Sequence, residues 1–140
     1  MFSEDQKQLG VDIGLLWLRL TTGGLMLAMH GWGKMLKLFA DGPIKFADPI
    51  GLGAGPSLVM AVGAEVLCAA LLIIGLATRF AAIPLVITMI VAAFIVHGAD
   101  PFQKKEFALL YAIPYLTLVF TGPGRLSIDH WWTRRRQSRA

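Results

Sequence analysis

Four apolar stretches separated by short polar breaks dominate the chain. The first, 13–33, is long enough to cross a bilayer as a helix, which takes roughly 20 residues. A second, 57–77, is interrupted only by Glu65, and Thr78-Arg79 then makes so short a connection that the third, 80–96, must run back antiparallel beside it. His97-Gly98 closes that stretch, and Asp100-Pro101 with Lys104, Lys105 and Glu106 forms a polar loop. The fourth, 107–121, is short, about 22 Å as an ideal helix, and Pro114 is expected to bend it before Gly122-Pro123-Gly124 stops it. Ser3 and Gln6 fit a capping box that would open a short interfacial helix. Residues 36–56, rich in Gly, Pro and Asp, read as a loop with a half-buried turn near Ile44–Phe46 and a flexible glycine-rich entry, 51–55, to the next helix. The pattern predicts an all-α integral membrane protein. Its expected form is an antiparallel up-down bundle of four transmembrane helices in one domain, 1–140, with short interfacial segments at both ends.

The informative positions are the polar ones inside the apolar frame. On a straight helix Arg19, Gly23, Met26, His30 and Lys34 share one stripe, since eleven residues bring His30 back to within roughly 20° of Arg19. In lipid that face must turn toward other helices or a wet cavity, because an ionisable side chain in hydrocarbon costs several kcal/mol. His30, Lys34, His97 and Glu106 all fall toward one end of the bundle, and Glu65 lies roughly 12 Å below the start of its helix on that same side. Glu65 can meet His30 and His97, or the long side chain of Arg19; the sequence leaves both pairings open.

Composition sharpens the class. Hydrophobic residues make up 56% of the 140 and charged residues 16%, with a mean hydropathy of +0.63, too apolar for an ordinary soluble domain. The net charge of +4 would suit nucleic acid, but the excess collects in a tail, 125–140, where Arg125, Arg134, Arg135, Arg136 and Arg139 accompany Trp131 and Trp132. That is a membrane-surface signature, and no nucleic-acid partner is expected. Lys7, Arg79 and the tail arginines lie on one side, and Lys34, Lys37, Lys45, Lys104 and Lys105 on the other. The denser cluster puts both termini in the cytoplasm, with Arg79 and Arg125 as topology anchors. Glu4 and Asp5 stand where a signal peptide wants positive charge, so the first apolar run is expected to stay in the mature protein.

Cys68 is the single cysteine, which leaves no internal disulfide, dithiol relay or thiolate cluster. Two His and a carboxylate match a metal triad in type, but they are dispersed over three helices, and no metal site is expected. The polar set, Arg19, His30, Lys34, Glu65, His97 and Glu106, is instead expected to form a pocket in which histidines exchange protons, Glu65 is base or counter-ion, and Lys34 anchors an anionic or carbonyl head group. A purely structural role, mutual neutralisation that fixes helix register, is the competing reading.

Arg19, the His30-Gly-Trp-Gly-Lys34 run, Glu65, Gly75-Leu-Ala-Thr-Arg79, His97, Glu106 and Gly122-Pro-Gly-Arg-Leu-Ser-Ile-Asp129, in this order and spacing, resemble the DoxX family of small bacterial and archaeal membrane proteins over about 11–129. The resemblance implies a four-helix protein of the bacterial cytoplasmic membrane. The family is named for a subunit of a thiosulfate-to-quinone oxidoreductase and is associated with membrane redox complexes. The leading expectation is therefore a quinone-linked redox component with no covalently bound cofactor, drawing electrons from a partner protein or from its substrate. A non-catalytic scaffold that recruits a soluble redox enzyme through the basic tail is the alternative, and a small-solute or proton transporter a further one. Gly23-Gly24, Gly63-Ala64 and Ala92-Ala93 would permit close helix approach within a bundle or between copies in a homo-oligomer.

Overall fold

The structure, a computed structural model, describes residues 3–138; Arg139, which belongs to the basic tail, lies outside them. The described residues form helices joined by turns and loops, without strands. Helix α1 runs without a break from Glu4 to Leu38. The Ser3 hydroxyl accepts from the Gln6 amide, and the Gln6 side chain accepts from the Ser3 amide, so the expected capping box is present. The separate interfacial helix expected before it is absorbed into α1, and the helix overshoots its expected end at Gly33 because nothing before Asp41-Gly42-Pro43 forces a stop.

Helix α2, Ala54–Ile74, is followed by Gly75 in the left-handed region, which ends it three residues before the apolar pattern does. Helix α3, Thr78–Val96, returns beside it. Helix α4, Phe102–Thr121, begins after Pro101, five residues ahead of the apolar stretch, and continues through Pro114. A surface helix, α5, Ile128–Gln137, is capped by the Ser127 hydroxyl, which accepts from the His130 amide. Helices α1, α2 and α3 are long and apolar enough to cross a membrane. Helix α4 packs along the length of α3, but Lys104, Lys105 and Glu106 in its first turns restrict its uncharged length to 107–121.

The core is built from Met26, Ala69, Leu72, Ala82, Leu85, Ala93, Tyr115 and Leu118, all fully buried. The outer surface is apolar as well, with Trp17, Phe80, Phe94, Phe107, Ile113 and Phe120 all more than 60% exposed. An aqueous protein would not present such a belt, and lipid accommodates it. The close approach of α1 to α2 depends on glycine at two levels. A Cβ on Gly23 would lie 2.9 Å from the Ile73 side chain, and one on Gly31 would lie 2.6 Å from the Glu65 carbonyl oxygen. Gly23, offered by the sequence as a contact within or between copies, is therefore used within the chain.

Three helices carry a π-helical turn: Met26–Gly31 in α1, Gly63–Cys68 in α2 and Ala92–Val96 in α3. The i→i+5 bonds are explicit, with Trp32 donating to Leu27 O, Ala69 to Ala64 O and His97 to Ala92 O. The first two wide turns pack directly on one another.

Candidate functional site

The wide turns and the polar positions coincide: His30 lies inside the first, Glu65 inside the second, and His97 immediately after the third. Such turns are disfavoured relative to α-helix and gather at functional sites, because the extra residue re-aims the side chains around it. Glu65 is 2% exposed, and Lys34, one turn beyond Gly31, reaches it with Nζ 2.6 Å from Oε1 and 2.5 Å from Oε2. Neither pairing left open by the sequence forms. Glu65 belongs to Lys34.

This ion pair borders a cavity of about 380 Å³. Ile87, Val91 and Val96 of α3, Met60 and Ser57 of α2, and Phe46, Pro49 and Ile50 of the 39–53 loop supply most of the remaining wall, with His97 among the lining residues. The cavity is apolar apart from a few convergent polar groups, the general composition of a small-molecule site.

The loop over the cavity is pinned by Asp48. Its Oδ1 accepts from the Leu52 amide at 2.9 Å and the Ser57 hydroxyl at 3.0 Å, and its Oδ2 from the Gly53 amide at 2.9 Å. The Gly53 amide first, then the Ser57 hydroxyl and Leu52 amide, hold the Asp48 carboxyl below its ordinary range. The glycine-rich entry to α2, expected to be flexible, is thus fastened at its middle. No turn is formed at Ile44–Phe46, which lie in irregular backbone with Phe46 half-buried.

His97 Nδ1 lies 2.7 Å from Asp100 Oδ2. An ionised carboxylate only accepts, so Nδ1 carries the proton and Nε2 is the free lone pair of the neutral ring. The His97 hydrogen bond, assisted by Lys104 at 3.5 Å, lowers the Asp100 carboxyl.

Three residues expected in this pocket are elsewhere. His30 is exposed on the flank of α1, its ring edge-on to Tyr111 at 5.5 Å. Glu106 is exposed in the first turns of α4. Arg19 is 1% exposed at the opposite end of the bundle, where its guanidinium donates to Pro123 O at 2.8 Å and Leu126 O at 2.7 Å. A Cβ at Gly75 would overlap that guanidinium. Asp12, 3% exposed, accepts from the Arg125 amide at 2.8 Å in the same region. Asp129 accepts from the Ala77 and Thr78 amides at 2.7 and 2.9 Å, capping α3 rather than its own helix. Of the six expected residues, Lys34, Glu65 and His97 share the cavity. Sequence reasoning missed Asp48, Ser57, Asp100 and Tyr111; an Asp four and five residues before Leu52-Gly53 was the available signal for the loop clamp.

A family model, DoxX, matches residues 14–98. An uncharacterized protein of Haemophilus influenzae is 35% identical over 112 residues, covering 75% of this chain and 81% of the relative. A Bacillus subtilis protein named "Putative oxidoreductase CatD" is 33% identical over 119 residues, 84% of this chain and 86% of the relative. No solved structure matches.

Proposed function

The chain belongs to the DoxX family of membrane proteins, and from that premise we propose that it is a quinone-linked component of a membrane oxidoreductase system. One observation carries the reading: a largely apolar cavity of quinone-ring size bordered by the Lys34–Glu65 pair and His97. Apolar walls suit the ring and isoprenoid chain, and a quinone carbonyl is an acceptor for the Lys34 ammonium. Reduction of a quinone to the quinol takes up two electrons and two protons. The electrons come from a separate donor, a soluble or membrane redox protein, while Glu65 and the His97–Asp100 pair are the groups able to carry protons. The oxidoreductase name of the Bacillus subtilis relative is consistent with this class.

The architecture proposed with it is one membrane domain in the bacterial cytoplasmic membrane, with α4 as a short fourth span. Its pairing along α3 and its exposed Phe107, Leu110, Ile113 and Phe120 support that placement. Both termini lie in the cytoplasm, following the arginine-rich α5, and the cavity opens toward the other side.

The test is quinone binding by the full chain in lipid nanodiscs. Wild type should bind a short-chain ubiquinone or menaquinone analogue saturably, Glu65→Gln and His97→Ala should bind at least about tenfold more weakly, the equivalent of 1.4 kcal/mol, and His30→Ala should bind as wild type does. Equal binding by all four while folded, or by none, defeats the quinone reading. Binding by none would favour a scaffold instead.

A further inference from the structure

At the end of the bundle away from the cavity, the first turn of α3 and one face of α5 enclose a shallow cleft of about 410 Å³. We propose that this cleft binds the phosphate headgroup of an anionic phospholipid. Arg79 and Arg136 stand on its walls, both exposed, and neither forms an ion pair among the described residues. Arg136 is kept beside Trp132 by a cation–π contact at 5.5 Å. The single carboxylate of the cleft, Asp129, has its two oxygens committed to the Ala77 and Thr78 amides. The buried Thr78 hydroxyl, also on the lining, has no hydrogen-bond partner among the described residues.

What selects a lipid over a free ion is the apolar border. Phe80, 78% exposed, leads from the cleft onto the outer face of α3, and Trp132 is half exposed beside it. A headgroup held by the two arginines would therefore leave its acyl chains against Phe80 and the apolar flank below, with the indole at the headgroup level where tryptophan is favoured. The first turn of α5 is fixed in place: its Asp129 amide donates to Gly75 O at 2.9 Å while the Asp129 carboxylate caps α3, and Arg136 on α5 lines the same cleft as Arg79 on α3. The adjacent Arg135 is engaged with Trp131, its Cζ 4.0 Å from the ring centroid, and does not line the cleft.

The experiment measures the thermal shift and the retained lipid adducts, by native mass spectrometry, of the purified full chain in neutral detergent with phosphatidylglycerol, phosphatidylcholine or inorganic phosphate. Phosphatidylglycerol should stabilise and remain bound, and Arg79→Gln/Arg136→Gln should bind it at least about tenfold more weakly, since charge-assisted hydrogen bonds exceed 1.4 kcal/mol each. Arg134→Gln/Arg135→Gln removes the same charge outside the cleft and should retain most of the effect. Equal stabilisation by phosphatidylcholine, full reproduction by inorganic phosphate, or equal loss in the two double variants would each overturn the assignment.

Discussion

Glu65 is the residue on which the structural and functional readings separate. A nearly sealed carboxylate beside a lysine ammonium is expensive to desolvate, and such a pair adds little net stability over apolar side chains of the same volume. Removing one member is different, because it strands the other. Lys34→Met should therefore destabilise the chain by about 3 kcal/mol, the lower end of the usual 3–5 range because Lys34 is itself 26% exposed. Lys34→Met/Glu65→Met should recover most of that loss in reversible unfolding in detergent, yet should not recover ligand binding. If the single variant is as stable as the double, the ion pair is not what holds Glu65. Both residues were recognisable from the sequence as polar positions in apolar helices, but their partnership was not. The stripe through Arg19, His30 and Lys34 assumed a straight α-helix. A π-helical turn at Met26–Gly31 takes an extra residue and displaces the face of everything beyond it by roughly 100°; His30, inside the turn, stands on the flank, and Lys34, beyond it, reaches Glu65.

The loop 39–53 shows at the level of an element how a segment without helix or strand is held in place. Asp48 does the work of a helix cap at a distance, satisfying the Leu52 and Gly53 amides and the Ser57 hydroxyl so that Phe46, Pro49 and Ile50 stay over the cavity. The Asp48 carboxyl titrates lower in the folded chain than its ordinary 3.8. A depressed folded value means the clamp is fully present above the unfolded value and is lost as pH falls through the folded one. Between pH 8 and pH 5 the hydrogen-exchange protection of the 46–53 amides should therefore stay constant apart from the intrinsic rate change, and it should collapse only below about 3.8. Asp48→Asn at pH 7 should reproduce the acid state in that loop while leaving the helices protected. Loop release at pH 6 would assign the clamp to a different group. Apolar periodicity located the helices well and this loop only by default, because a side chain accepting from backbone four and five residues on leaves no periodic trace.

Across the whole molecule the two ends of the bundle are built in opposite ways. At the α5 end, Arg19, Asp12 and Asp129 tie the 122–129 segment to α1 and α3, with bonds between positions more than a hundred residues apart in the first two cases. At the other end, the wide turns of α2 and α3 contribute Glu65, Ala92 and Val96 to the wall of a cavity roofed by a loop. The polar stripe drew Arg19 and Glu65 into one picture because both are polar residues inside apolar helices, and the reach of a long arginine side chain left open which end each served. Their separation makes their energetic effects independent, since substitutions more than about 10 Å apart with no shared partner add to within a few tenths of a kcal/mol. Arg19→Gln should cost about 2 kcal/mol or more through lost charge-assisted bonds to Pro123 and Leu126, while leaving quinone affinity within about twofold at temperatures where the chain is folded. Glu65→Gln should do the reverse to affinity. A folded Arg19→Gln that no longer binds would mean that the lock and the cavity form one coupled unit, with α1 as the rod between them.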